Sequence, residues 1–150
     1  MIRRAALSDI HAVSSLALLL WEDNEPGGLE EEFSDLLTDP DCAVFLDEED
    51  GQSVGFAQCQ LRRDYVEGTD SSPVGYLEGI FVREEYRRQG RARNLLRTCE
   101  EWSSSLGCTE FASDCELTNE TSLMFHLKLG FIEANRIICF TKSLQQKTPR

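Results

Sequence analysis

The stretch "GYLEGIFVREEYRRQGRARNLLRTCEEW", residues 75–102, decides the fold. Its first eight residues are rich in aromatic and branched side chains and predict a strand. From residue 91 the apolar positions Ala92, Leu95, Leu96, Cys99, Trp102 and Leu106 recur at the spacing of one helix face, which Gly107 closes. Between strand and helix lie Arg83, Arg87, Arg88 and Arg91, in a chain whose formal net charge is -12. A helix start exposes unpaired backbone N–H groups and the positive end of the macrodipole, so a strand-to-helix junction of this kind holds a diphosphate. Gly90 lets the backbone approach such a group, and Ala92 keeps the first turn uncrowded. The same arginines also fit a solvated helix entry, and composition alone does not separate the two readings.

Upstream, Ser8 or Asp9 is placed to cap a helix carrying Ile10, Val13, Leu16, Ala17 and Leu20 at helical spacing and ending near Trp21. "WEDNEPGGLEEEF" breaks at Pro26-Gly27-Gly28 and resumes as a short acidic helix through Leu36 and Leu37, stopped by Asp39-Pro40. "CAVFLDEEDGQSVGFAQCQLR" reads as two strands around an Asp-Gly turn, and "DYVEGTDSSP" as a polar loop. Downstream, "CTEFASDCEL" predicts a strand, "NETSLMFHLKLG" an amphipathic helix ended by Gly130, and "NRIICFTK" a final strand. This alternation predicts one mixed α/β sheet with helices on both faces, in a single domain over residues 1–144 followed by a disordered tail at 145–150.

The charge balance, 27 acids against 15 Lys+Arg, excludes nucleic acid as a general partner, because phosphate binding needs a broad basic face. It favours polycations. No run approaches the roughly 18 apolar residues of a membrane span, and "MIRRAALSDI" lacks the apolar core of a signal peptide, so the expectation is a cytoplasmic chain with no membrane partner. The six cysteines, Cys42, Cys59, Cys99, Cys108, Cys115 and Cys139, form no C-x-x-C pair and no cluster with His11 or His126. Most are expected to be small buried hydrophobes, with no metal.

Arg87-Arg88-Gln89-Gly90-Arg91-Ala92 fits the Q/R-x-x-G-x-G/A signature of the GCN5-related N-acetyltransferases (GNAT), and the strand before it and "LKLGF" at 127–131 extend the likeness. The words "LW", "DYVEGTDSSPVGYLEGIFV", "RRQGRA" and "CTEFASD" resemble the aminoglycoside 6'-N-acetyltransferase branch of that family. The resemblance implies a mostly antiparallel central sheet, acetyl-CoA as co-substrate, an aminoglycoside as partner, and a homodimer. It implies that Trp21, Tyr65, Glu78 and Asp114 line the amine site, and that Ile80, Phe81, Val82, the loop Arg87, Arg88, Gln89, Gly90, Arg91, Ala92, Arg93, and Asn119 hold acetyl-CoA. Relatives carry a further substrate-facing acid where this chain has Asn135, so either Glu133 substitutes or that contact is lost. His126 stands where the superfamily usually has a proton-donating tyrosine, and either donates a proton or packs near the cofactor's cysteamine end.

The chemistry of the residues agrees. A ligand with several ammonium groups calls for carboxylates and an aromatic wall, which Trp21, Glu22, Asp23, Glu25, Tyr65, Glu78 and Asp114 supply. Glu78 interrupts an otherwise apolar strand, where a carboxylate is costly without a partner. The substrate ammonium must lose a proton before its nitrogen attacks, so Asp114 is expected as the base with Glu78 orienting the amine, the reverse assignment remaining open. A backbone N–H of Phe81 or Val82 is expected to polarise the thioester oxygen. Acetylation of another amine, such as a polyamine or a protein N-terminus, and a non-catalytic acyl-CoA-binding module stand as alternatives.

Overall fold

A computed structural model describes residues 1–145. Among them one sheet runs in the order β1 (Ile2–Arg4), β2 (Cys42–Glu49), β3 (Gln52–Arg62), β4 (Val74–Val82), β5 (Phe111–Ala112). Successive strands pair antiparallel except β4 and β5, which run parallel. Helices α1 (Ile10–Leu20) and α2 (Pro26–Leu36) lie between β1 and β2, α3 (Arg91–Ser105) makes the β4–β5 crossover, and α4 (Glu120–Lys128) follows β5.

The two-residue period of the strands sorts the core onto two faces. Val44, Leu46 and Phe56 pack with Val13, Leu16, Ala17, Leu29 and Phe33 under α1 and α2. Ala43, Phe45, Ala57, Cys59 and Leu77 pack with Leu95, Leu96 and Cys99 of α3 on the opposite face. The mostly antiparallel sheet with helices on both faces is therefore the architecture the sequence predicts. Asp50 and Gly51 both take positive φ, 51° and 77°, the conformation a two-residue turn needs to match the strand twist.

Two irregularities in β4 prepare the site. Its register against β3 passes from Leu77 opposite Cys59 to Gly79 opposite Gln58, so Glu78 is the extra, unpaired residue of a bulge. Its pairing with β5 covers only Gly75–Phe111 and Tyr76–Ala112, so beyond these residues the two parallel strands part and leave an opening at their carboxyl ends. Ligands of open α/β sheets bind at such openings.

Several local expectations are corrected. α2 begins at Pro26 itself, because proline at the first helical position gives up an N–H that would have no partner, and Gly27 and Gly28 lie inside the first turn. Asp9 stands at the N-cap of α1 after a 3-10 turn at Leu7–Asp9, but its side chain makes no capping hydrogen bond to the helix: the carboxylate accepts the Ala6 N–H at 2.8 Å and two Arg3 donors. "CTEFASDCEL" pairs only over Phe111–Ala112. "NRIICFTK" forms no strand, because a strand exists only within a ladder and this segment pairs with none of the described residues; Ile137, Ile138 and Phe140 remain exposed. Of the expected tail, residues 146–150 lie outside the described residues. Among the described residues no helix is long and apolar enough to cross a membrane.

Candidate active site

The arginine-rich junction is a helix start with no side-chain cap. Gly90 is the N-cap of α3 at φ 76°, a left-handed conformation that disfavours any side chain, and a Cβ built there meets nothing within 4 Å. Arg88 also has positive φ, 62°. The first N–H groups of α3 have no intrahelical acceptor and no side-chain cap, and the space at Gly90 is open, a cradle that fits a diphosphate.

The arginines divide the work. Arg83 Nε donates to Ser53 O at 3.2 Å, and Arg87 Nε donates to Val82 O at 2.7 Å with its guanidinium 5.4 Å from the Phe81 ring. Arg91 donates to Gln89 Oε1 at 3.1 Å and to Asp47 Oδ2 at 3.0 Å, and also pairs with Glu49. Asp47 is a buried carboxylate, held by Arg91 and by the N-terminal ammonium at 3.2 Å, so the Arg91 side chain ties the start of α3 to β2. Arg88 and Arg93 are exposed and make no hydrogen bond or ion pair among the described residues. Ala92 is partly buried beneath them.

On β4, Ile80 and Val82 pack toward α3, and Phe81 packs toward the opposite core. The Arg83 N–H is used on Val54 O at 2.8 Å, and N–H groups alternate in direction along a strand. Those of Phe81 and Gly79 therefore point to β3, while those of Ile80 and Val82 point to the side where β5 has diverged.

The two candidate acids belong to one chain of contacts. Arg62, at the end of β3, places both Nη2 (2.8 Å) and Nε (3.2 Å) on Glu78 Oε1. Its guanidinium carbon lies 3.5 Å from the centre of the Tyr76 ring. The Tyr76 hydroxyl in turn donates to Asp114 Oδ2. Burial, and next the hydrogen bond to Asp114, push the Tyr76 phenol above its ordinary value, so it remains the donor. Glu78 and Asp114 therefore lie at the two ends of an Asp114–Tyr76–Arg62–Glu78 series, each with a second oxygen outside these contacts.

Trp21 ends α1, packs edge-on to Phe56 with ring centroids 6.1 Å apart, and covers Gly79, where an added Cβ would come within 2.7 Å of the indole. It is thereby placed beside the Glu78 bulge. Glu22 and Tyr65 are exposed on the rim, and the Tyr65 hydroxyl accepts the Gly68 N–H at 3.4 Å. Glu133 is engaged by Arg136, and Asn135 Nδ2 donates to Glu67 Oε1 at 2.8 Å, tying the C-terminal segment to the β3–β4 loop. Glu133, Asn135, Asp114 and His126 share a cleft of about 1040 Å³ between β5, α4 and that segment, whereas Glu78 and Trp21 lie outside its lining.

Asn119 is the N-cap of α4 and accepts the Ser122 N–H at 3.0 Å. His126 Nδ1 donates to Ser122 O at 2.7 Å, so in the neutral ring Nε2 is the acceptor of the Ser113 hydroxyl 2.8 Å away. Phe131 and Phe125 pack edge-on to the imidazole. Cys42, Cys59, Cys99 and Cys108 are buried, as expected of most cysteines here, and Cys115 and Cys139 are exposed. Burial raises the Cys42 thiol to about 12, which removes it as a nucleophile. Arg62, Tyr76 and Ser113 escaped the sequence reading. The only available signal was the presence of Arg62 and Tyr76 in strands converging on Glu78.

Comparisons with known proteins identify the family. A family model described as "Acetyltransferase (GNAT) family" matches residues 10–131. Aminoglycoside N(6')-acetyltransferase type 1 of Serratia marcescens is 39% identical over 137 residues, covering 91% of this chain and 94% of that protein. The protein of the same name from Stenotrophomonas maltophilia is 40% identical over 145 residues, covering 96% and 94%. Among solved structures, aminoglycoside N-acetyltransferase AAC(6')-Iy in complex with the bisubstrate analogue CoA-S-monomethyl-acetylneamine matches with a TM-score of 0.91 at 35% identity, covering 95% of this chain and 97% of that one. The aminoglycoside 6'-N-acetyltransferase AAC(6')-Ih from Acinetobacter baumannii matches with a TM-score of 0.91 at 38% identity, covering 97% and 99%. With a family model spanning most of the chain and relatives near 40% identity over nearly its whole length, this chain belongs to the GNAT acetyltransferase family.

Proposed function

We propose that this protein is an aminoglycoside 6'-N-acetyltransferase, moving the acetyl group of acetyl-CoA to a primary amine of the antibiotic by direct attack. The observation that carries the reading is the junction of two sites of opposite charge preference. An uncapped helix start with open space at Gly90 suits the cofactor's pyrophosphate, and the linked acids, Asp114 and the Glu78 that adjoins the Trp21-covered Gly79, suit an ammonium.

In the reaction, Asp114 takes the proton from the substrate ammonium, and the freed nitrogen lone pair attacks the thioester carbonyl. The C–N bond forms, the C–S bond breaks, and the sulfur leaves as thiolate. Glu78 holds the amine, and the Val82 N–H stabilises the oxyanion because it points into the opening between β4 and β5. Ile80, Phe81 and Val82 line the pantetheine path, the 87–93 loop takes the pyrophosphate, and Asn119 and His126 border the same groove. Glu22, Tyr65, Glu133 and Asn135 form the outer rim of the amine site.

We further propose a cytoplasmic homodimer, since acetyl-CoA is a cytoplasmic metabolite and the apolar 132–140 segment is exposed beside the short edge strand β5. Sedimentation equilibrium giving a 17.0 kDa species would remove the dimer. The function is tested by CoA release with a kanamycin-type aminoglycoside, spermidine and a peptide as acceptors. Turnover with the aminoglycoside is expected, and turnover confined to spermidine or the peptide would overturn the assignment.

A further inference from the structure

We infer that Arg62 is a positioning residue for amine transfer: a resident cation that fixes the Glu78 carboxylate and sets how strongly the site attracts its polycationic substrate. The inference rests on the amine-acetylating function proposed above.

Arg62 delivers two N–H donors to one oxygen of Glu78, at 2.8 and 3.2 Å, and leaves Oε2 outside the pair. Two donors on one oxygen fix the rotation of the carboxylate, so the other oxygen is presented in one direction. The guanidinium is itself held, with its carbon 3.5 Å from the Tyr76 ring centre, and Tyr76 is anchored through its hydroxyl to Asp114. Glu78 needs such a hold because it is the bulged residue of β4, without a register partner on β3. The consequence is a division between geometry and charge. Aligning Glu78 serves the transition state and therefore kcat, whereas the positive charge of Arg62 opposes the approach of further cations and therefore raises the amine KM.

Two substitutions separate these effects. Arg62→Lys keeps the charge and loses the two-donor contact. Its kcat is expected to fall about 10- to 10²-fold with amine KM near that of the wild type. Arg62→Gln loses both, so kcat falls as far and amine KM drops about two- to fivefold, the range for one partly exposed charge pair. In both variants the acetyl-CoA KM and the melting temperature stay at wild-type values. Unchanged kcat in both variants overturns the inference. So does a rise in the KM of both substrates with a lower melting temperature, which marks a merely structural arginine. If the wild type acetylates only spermidine or the peptide, the aminoglycoside assignment fails alone and the same comparison is made on that amine. If it acetylates no amine, both fall together.

Discussion

Glu78 and Asp114 are both carboxylates on the β4–β5 side of the sheet, but they are held differently. Glu78 faces a guanidinium on one oxygen, and Asp114 accepts a phenol hydrogen on one oxygen. We propose Asp114 for proton removal, because it lines the cleft that Glu78 stays outside, and Glu78, fixed by Arg62, for alignment. Asp114→Asn keeps the shape and the Tyr76 contact but loses the basic lone pair, so kcat is expected to fall about 10²–10⁴-fold at neutral pH with a smaller change in amine KM. Glu78→Gln keeps the shape but removes the charge that attracts the ammonium, so it is expected to raise amine KM more than Asp114→Asn does, with a smaller loss in kcat. Steady-state kinetics on the pair decide the roles. A Glu78→Gln enzyme without turnover beside an Asp114→Asn enzyme near wild type would reverse them.

At the scale of elements, the start of α3 and the join of β1 to α1 each depend on one local arrangement. Gly90 occupies left-handed backbone at the start of α3, the proposed phosphate cradle, and a branched side chain there strains the turn by about 1–2 kcal/mol and fills the open space. Gly90→Val is therefore expected to raise the acetyl-CoA KM tenfold or more with little change in amine KM; equal acetyl-CoA KM in a folded variant would remove the loop from the cofactor site. The Arg3–Asp9 pair ties β1 to the entry of α1, with contacts of 2.9 and 2.7 Å. The Arg3 hydrogen bonds, then the Ala6 N–H, hold the Asp9 carboxyl down at about 2 against an ordinary 3.8. A depressed pKa contributes stability above the unfolded value and loses it as pH falls through the folded one. Asp9→Asn should therefore cost at most about 2 kcal/mol at pH 7, and the difference from wild type should fade between pH 4 and pH 2 in denaturant titrations.

For the whole molecule, the net charge of -12 surrounds a site for which we propose a polycationic ligand. Attraction between exposed charges is screened over about 10 Å at 0.1 M salt, so amine KM is expected to rise with ionic strength while acetyl-CoA KM responds less. An amine KM flat from low to high salt would show that the acidic rim does not steer the substrate.

The sequence by itself determined the features that depend on neighbours along the chain. These are the strand-loop-helix unit at 75–102, the Asp50-Gly51 hairpin, the apolar face of α1 and the glycine that opens α3. Period, turn chemistry and helix-end physics act over a few residues, so they can be read from order alone. Only the tertiary structure decided what depends on pairing between distant segments. The bulge at Glu78 arises from the register against β3, the Asp114–Tyr76–Arg62–Glu78 series joins residues from two strands and a loop, and the engagement of Arg91 with Asp47 ties α3 to β2. "NRIICFTK" carries a strand's composition yet pairs with none of the described residues, because composition supplies a propensity while a ladder requires a partner edge.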